Sequence, residues 1–151
     1  MGSSIQIKCS NCNYSETFML GIGMMYNPIR VLDFDPKHGM LPQMVRSKKT
    51  IEQIRTLIED KHAELDRDYG HKIYHCNSCK MLFERFYIKL VYEGGIFEID
   101  YKCPTCKSIL EPVNRSAQND SDELPDLKNY NCPECGKHSL YKDEYEVICW
   151  D

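Results

Sequence analysis

No run of apolar residues in this chain comes close to the ~18 that a membrane-spanning helix needs. No charged-then-apolar leader opens it, and Gln6 stands where a myristoylation signal wants Ser or Thr. The expectation is a soluble, cytoplasmic protein. Positive charge is also in short supply: 19 Lys and Arg face 23 Asp and Glu, a formal net charge of −4. Affinity for nucleic acid rests largely on cations meeting phosphates, so this balance works against it. The glycine-rich stretch "GIGMMYNP" lacks the third glycine of a phosphate-cradling loop, and Pro28 falls where a helix should be established. It reads as a tight turn with Met24 and Met25 buried. "DFDPKH" gathers Asp33, Asp35 and His38, types that serve acid–base chemistry, but around a proline they read as a surface turn.

Cysteine, by contrast, is abundant. Eight of the nine fall into four Cys-x-x-Cys pairs: Cys9/Cys12, Cys76/Cys79, Cys103/Cys106 and Cys132/Cys135. One such pair offers a metal two sulfurs, and two pairs complete a tetrahedron. The expectation is therefore two structural Zn²⁺ ions, although four thiolates also suit iron. Eight thiolates and two divalent ions would take the formal charge from −4 to −8. Lys8, Lys80, Lys102, Lys107 and Lys137 lie beside the pairs, where they face anionic sulfur. His75 and His138 are placed to support ligands but are not needed as ligands. Thiol–disulfide enzymes also use such pairs, with the reactive thiolate at a helix N-terminus. Strand and turn patterns follow all four pairs here, which leaves a redox protein a distant third. Four cysteines close the coordination shell, with no open position for a hydrolytic water. Cys149, the ninth, reads as a small buried apolar residue.

Which pairs share a metal depends on the chain between them. "MLFERFYIKLVYEGGIFEIDYK" reads as a β-hairpin over about 81–101, turning at Gly94-Gly95. That register sets Tyr92 against Phe97, Leu90 against Ile99 and Ile88 against Tyr101, with Lys89 against Asp100. Cys103 then lies opposite Phe86, seven residues and ~23 Å along the strand from Cys79. On this ground Cys9, Cys12, Cys76 and Cys79 form site 1, and Cys103, Cys106, Cys132 and Cys135 form site 2. A strong bend in the hairpin would permit the rival, first pair with fourth and second with third.

"YKCPTCKSIL" and "YNCPECGKHSL" resemble the zinc-ribbon or zinc-knuckle class, in which two such turns on short strands hold one zinc. Gly136, and Asn13 after "CSNC", can take the left-handed conformation that follows the second cysteine; Lys80 and Lys107 depart from that preference. The whole chain is similar to small uncharacterised bacterial proteins with four Cys-x-x-Cys knuckles, a likeness that implies no activity.

Residues 5 to 20 suggest two short strands around the first knuckle, and Asn27 to Gln43 an irregular loop. From Ser47 to Leu65, Ile51, Ile54, Leu57, Ile58 and Leu65 recur at helical spacing. Thr50 with Gln53 offers a capping box, and Ser47 an alternative cap. "EPVNRSAQNDSDELPDLKN" reads as a mobile loop, and the segment after Cys135 as closing strands. On one face of the hairpin strand, Phe83, Arg85, Tyr87 and Lys89 alternate ring and cation, as a single-stranded nucleic-acid platform requires; the competing reading packs that face against the helix. The expected architecture is α+β, mostly small β. A first zinc ribbon over 1–101 carries the inserted helix (about 47–65) and the hairpin; a second spans 102–151. The expected function is a non-enzymatic adaptor or regulator that presents a zinc-stabilised surface to a protein partner. A nucleic-acid-binding ribbon using Phe83, Arg85, Tyr87 and Lys89 is the alternative. No membrane or small-molecule substrate is indicated.

Overall fold

The computed structural model describes residues 2–113 and 124–150, the side chains of 144–150 excepted. Its architecture is mixed, with small antiparallel sheets and few helices. β1 (Gly2–Cys9) and β2 (Ser15–Gly21) are the two strands expected around the first knuckle. β4 (Gly70–Cys76) and β5 (Met81–Tyr87) form a second hairpin around the second knuckle. The long closing strand, here β9 (Leu140–Trp150), pairs antiparallel with β1. These strands run in the order β5-β4-β2-β1-β9. β8 (Glu111–Pro112) adds to β4 beside Tyr74 and His75.

A smaller sheet holds β3 (Glu64–Leu65), β6 (Lys89–Tyr92) and β7 (Gly95–Glu98) in the order β3-β6-β7. The expected single hairpin strand is thus divided: β5 belongs to the large sheet, β6 to the small one, and the break falls at the fully buried Ile88. The turn also shifts. Tyr92 pairs with Gly95 and Leu90 with Phe97, while Lys89 meets Glu98. A slip of two residues keeps every side chain on its expected face, whereas a slip of one would have reversed them all. Gly94, at φ +99°, alone supplies the positive φ.

α3 (Lys48–Lys61) is the amphipathic helix. Ser47 caps it, its Oγ accepting the Thr50 N–H at 3.2 Å, so the alternative cap prevails over the Thr50–Gln53 box. His62, left-handed at φ 51°, ends the helix, and Leu65 passes into β3. The stretch read as irregular contains two short helices, α1 (Pro28–Val31) and α2 (Met40–Met44). Met24 and Met25, expected to be buried, are instead 76% and 54% exposed. The "DFDPKH" segment is a self-satisfied turn: Asp33 Oδ1 accepts the Asp35 N–H, and Asp35 Oδ1 accepts those of Lys37 and His38. Of the segment read as a mobile loop, residues 114–123 lie outside the described ones.

Two hydrophobic clusters form on opposite faces of β4 and β5, because successive strand residues point opposite ways. Tyr74 and Tyr87 join Ile54, Ile88 and Leu90, while Ile73 and Leu82 join Ile5, Ile7, Phe18 and Leu140. Cys76 and Cys103 sit in the first cluster, Cys9 and Cys132 in the second. Each cluster therefore adjoins one cysteine group.

Candidate metal centres

The eight paired cysteines converge on two points. Cys9, Cys12, Cys132 and Cys135 form one group; Cys76, Cys79, Cys103 and Cys106 form the other. The spacing argument's assignment is thereby corrected: the first pair closes with the fourth, and the second with the third. The reason lies in the broken strand. β5 pairs with β4, not with the residues after β7. Beyond the Ile99 N–H to Ile88 carbonyl bond, the chain folds back so that β8 runs along the opposite edge of β4. The third knuckle comes to rest beside Cys76 and Cys79, not ~23 Å along the strand from Cys79 as an unbroken hairpin requires. Each group takes one pair from either side of residue 101.

Within the first group Cys9 and Cys135 sulfurs lie 3.7 Å apart and those of Cys12 and Cys132 3.5 Å. In the second group Cys76 and Cys106 are 3.4 Å apart, Cys79 and Cys103 3.9 Å. A tetrahedron with metal–sulfur bonds of ~2.3 Å has edges of ~3.8 Å. These separations fit that figure and exceed the ~2.05 Å of a disulfide. Each group can hold one metal ion, and the four-thiolate donor set suits zinc.

The knuckles share a construction. The N–H groups of Lys80, Lys107 and Gly136 donate to the carbonyls of Cys76, Cys103 and Cys132, at 2.8, 3.0 and 2.9 Å. That closure requires a left-handed residue just after the second cysteine, and φ there is 54°, 65° and 69°. Lys80 and Lys107 thus adopt the conformation that their side chains disfavour. The first knuckle is built otherwise: Cys9 N–H donates to the Tyr14 carbonyl, and Asn13 stays out of the left-handed region. In every pair the first cysteine is buried and the second more exposed, Cys106 most of all.

Serine hydroxyls tune one sulfur in each group. Ser139 Oγ, 3.0 Å from Cys9 Sγ, lowers that thiol to about 6. Ser108 does the same for Cys106 through its hydroxyl at 3.3 Å and its backbone, again to about 6. Cys79 is pushed up to about 12 by the neighbouring Cys106 sulfur and by desolvation. One thiol in each group is therefore poised to lose its proton first, and a bound divalent ion would displace the remaining protons.

The histidines beside the knuckles serve other partners. His75 Nδ1 lies 2.9 Å from the Tyr130 hydroxyl, and His138 Nδ1 is 3.0 Å from the Lys128 carbonyl. Lys137 donates to Asn11 Oδ1, and Lys107 to the Pro104 carbonyl. Missed at the sequence level was Asn131, whose side-chain amide donates to the Cys79 carbonyl at 2.9 Å and whose N–H donates to that of Lys80 at 2.6 Å. Its only signal was position, one residue before Cys132.

The Phe83–Lys89 stripe is not a continuous open face. Tyr87 is 6% exposed, with the Lys72 ammonium 3.9 Å from its ring centroid. Lys89 pairs with Asp66 at 3.4 Å, and Phe83 is half-buried against the first hydrophobic cluster. Arg85 donates to the Glu84 carbonyl at 2.6 Å and lies over the Phe83 ring. Cys149 pairs through its backbone with Ser3, and its side chain lies outside the described residues.

No helix is long and apolar enough to cross a membrane among the described residues. Comparison with protein-family models, curated proteins and solved structures finds no match. The likeness to zinc ribbons therefore rests on cysteine spacing and on the geometry of the two groups.

Proposed function

We propose that this is a two-zinc, non-enzymatic interaction protein, an adaptor or regulator that presents a metal-stabilised surface to a protein partner. The observation that carries it is the pair of four-cysteine groups, each with its four sulfurs within 4.8 Å of one another and each set against its own hydrophobic cluster. Four thiolates fill the coordination sphere of zinc and leave no place for a reacting water. Such a centre does structural work, and assembly of comparable sites contributes about 10–16 kcal/mol of apparent binding energy. Zinc then takes the place of a larger core, and the loops between knuckles are free to carry recognition. Apolar side chains on that surface, Met24, Met25 and Ile29 at 76%, 54% and 86% exposure, give a protein partner something to bury.

The test is capture of partners from a native extract with zinc-loaded protein, with and without nuclease. Elemental analysis of the same preparation should give two zinc ions per chain. Protein partners that survive nuclease and are lost on chelation support the reading. Partners lost with nuclease would replace it with the nucleic-acid alternative.

A further inference from the structure

A cleft of about 860 Å³ opens between the segment entering α3 and the strand β5. Four cations line it, Arg46, Lys49, Arg85 and Lys102, against two carboxylates, Glu84 and Asp100. This is a local positive excess on a protein whose formal charge is −4. Among the described residues, none of the four cations has a carboxylate within 4.0 Å. Glu84 is already engaged, with Oε1 2.7 Å from His71 Nδ1 and Oε2 accepting the Met19 N–H at 2.9 Å. Among the described residues, the cleft thus gathers more positive charge than the carboxylates lining it balance.

The helix that borders the cleft breaks a rule in the same direction. The positive end of a helix dipole favours acidic residues, yet the first turn of α3 has none and carries Lys48 and Lys49. Lysines there repel the dipole and one another, a local cost that an anion in the cleft would offset. Arg85, in the opposite wall, is held in place: its guanidinium donates to the Glu84 carbonyl and lies 5.4 Å from the Phe83 ring centroid and 6.0 Å from that of Tyr101. A fixed, planar guanidinium is suited to the two-pronged recognition of phosphate oxygens. Met44, Val45 and Ile99 add apolar wall, and the volume falls in the range of small-ligand sites, well above that of a bare phosphate.

We propose that this cleft binds a phosphate-bearing small molecule of nucleotide size, its phosphates held by Arg46, Lys49, Arg85 and Lys102. No cysteine lines the cleft, although Lys102 adjoins Cys103 of the second group, and the site does not depend on the adaptor reading. A protein without a macromolecular partner would still bind, and the converse also holds.

The experiment titrates the zinc-loaded full chain with adenosine diphosphate, with inorganic phosphate and with a short single-stranded oligonucleotide. Calorimetry gives affinity, amide NMR shifts give location, and metal content is checked before and after. The expected result is saturable diphosphate binding that weakens with salt and shifts the amides of Lys49, Thr50 and Arg85. Inorganic phosphate should bind the same place more weakly. The double variant R46E/K49E changes two exposed residues outside the metal centres and should weaken binding by at least about tenfold. Lys61→Gln, at the far end of α3, should bind as the parent does. Absence of saturable binding at millimolar ligand would overturn the proposal, as would unchanged affinity in a double variant that keeps its zinc. An oligonucleotide that binds the cleft more tightly than the diphosphate would also overturn the small-molecule assignment.

Discussion

Asn131 ties the two cysteine groups together: it precedes Cys132 of one group, and its side-chain amide donates to the Cys79 carbonyl of the other at 2.9 Å. Its N–H adds a second bond, to Lys80, on the same knuckle. Because a side-chain hydrogen bond of this kind contributes ~1 kcal/mol, Asn131→Ala should lower stability by about that amount. Asn131→Asp should cost more, since a carboxylate cannot donate and would face the Cys79 carbonyl. Chelator-driven zinc release followed with a colorimetric indicator checks the coupling. Both ions should leave faster in either variant, whereas acceleration of one ion alone would mean the groups are independent.

The grouping of cysteines has a direct stoichiometric test. C9S/C132S removes two ligands from one group and should retain close to one zinc per chain. C9S/C76S damages both groups and should retain almost none. The pairing favoured by linear spacing predicts the reverse, because it places Cys9 with Cys76 and Cys132 in the other site. Inductively coupled plasma measurement of zinc per chain in the two variants decides between them.

What was legible in the sequence was whatever is decided locally. The four knuckles follow from cysteine spacing, and α3 from the recurrence of Ile51, Ile54, Leu57 and Ile58 with Ser47 as its cap. The strands about Cys9 and Cys12 emerged where expected. What failed depended on partners far away in the chain. Residues 81–92 look like one strand because nothing between Tyr87 and Lys89 is a turn signal; the break at Ile88 exists because β4 pairs with β5 and β3 with β6. That break swings Cys103 to Cys79 and reverses the assignment of sites. Tyr87 likewise reads as an outward ring from its parity, yet Lys72 covers it from the neighbouring strand. The cleft was invisible for the same reason, since Arg46 and Lys102 meet only in the folded chain.

Acidification should release zinc in a way that the serines control. Hydrogen bonds from Ser139 and Ser108 hold the Cys9 and Cys106 thiols down near 6. Zinc needs thiolates, so protons compete with it and affinity falls as pH falls. A depressed thiol keeps its thiolate to lower pH, which extends metal retention in the acid direction. Ser139→Ala or Ser108→Ala removes the hydroxyl donor, lets the thiol rise, and should move the midpoint of zinc loss to higher pH. Each variant should affect chiefly its own group. A pH titration of zinc content in the two single variants checks both the direction and the site.

Backbone conformation at the knuckles gives the last expectation, and it separates strain from ligation. Lys80 sits at φ 54° and Gly136 at the equivalent position at φ 69°. A side chain in the left-handed region costs ~1–2 kcal/mol, while glycine's greater freedom in the unfolded chain takes back ~0.5–1 kcal/mol. Lys80→Gly should therefore stabilise the protein by about 0.5 kcal/mol, since among the described residues no side-chain bond of Lys80 is lost. Lys107→Gly should gain less, because the Lys107 ammonium donates to the Pro104 carbonyl at 2.8 Å. At Gly136 a methyl group would meet nothing within 4 Å, so Gly136→Ala probes φ alone. It should cost about 1 kcal/mol without loss of zinc stoichiometry. Thermal unfolding of the zinc-loaded proteins reads all three changes. A Lys80→Gly variant that melts below the parent would show that the side chain, and not the left-handed turn, sets the stability of that knuckle.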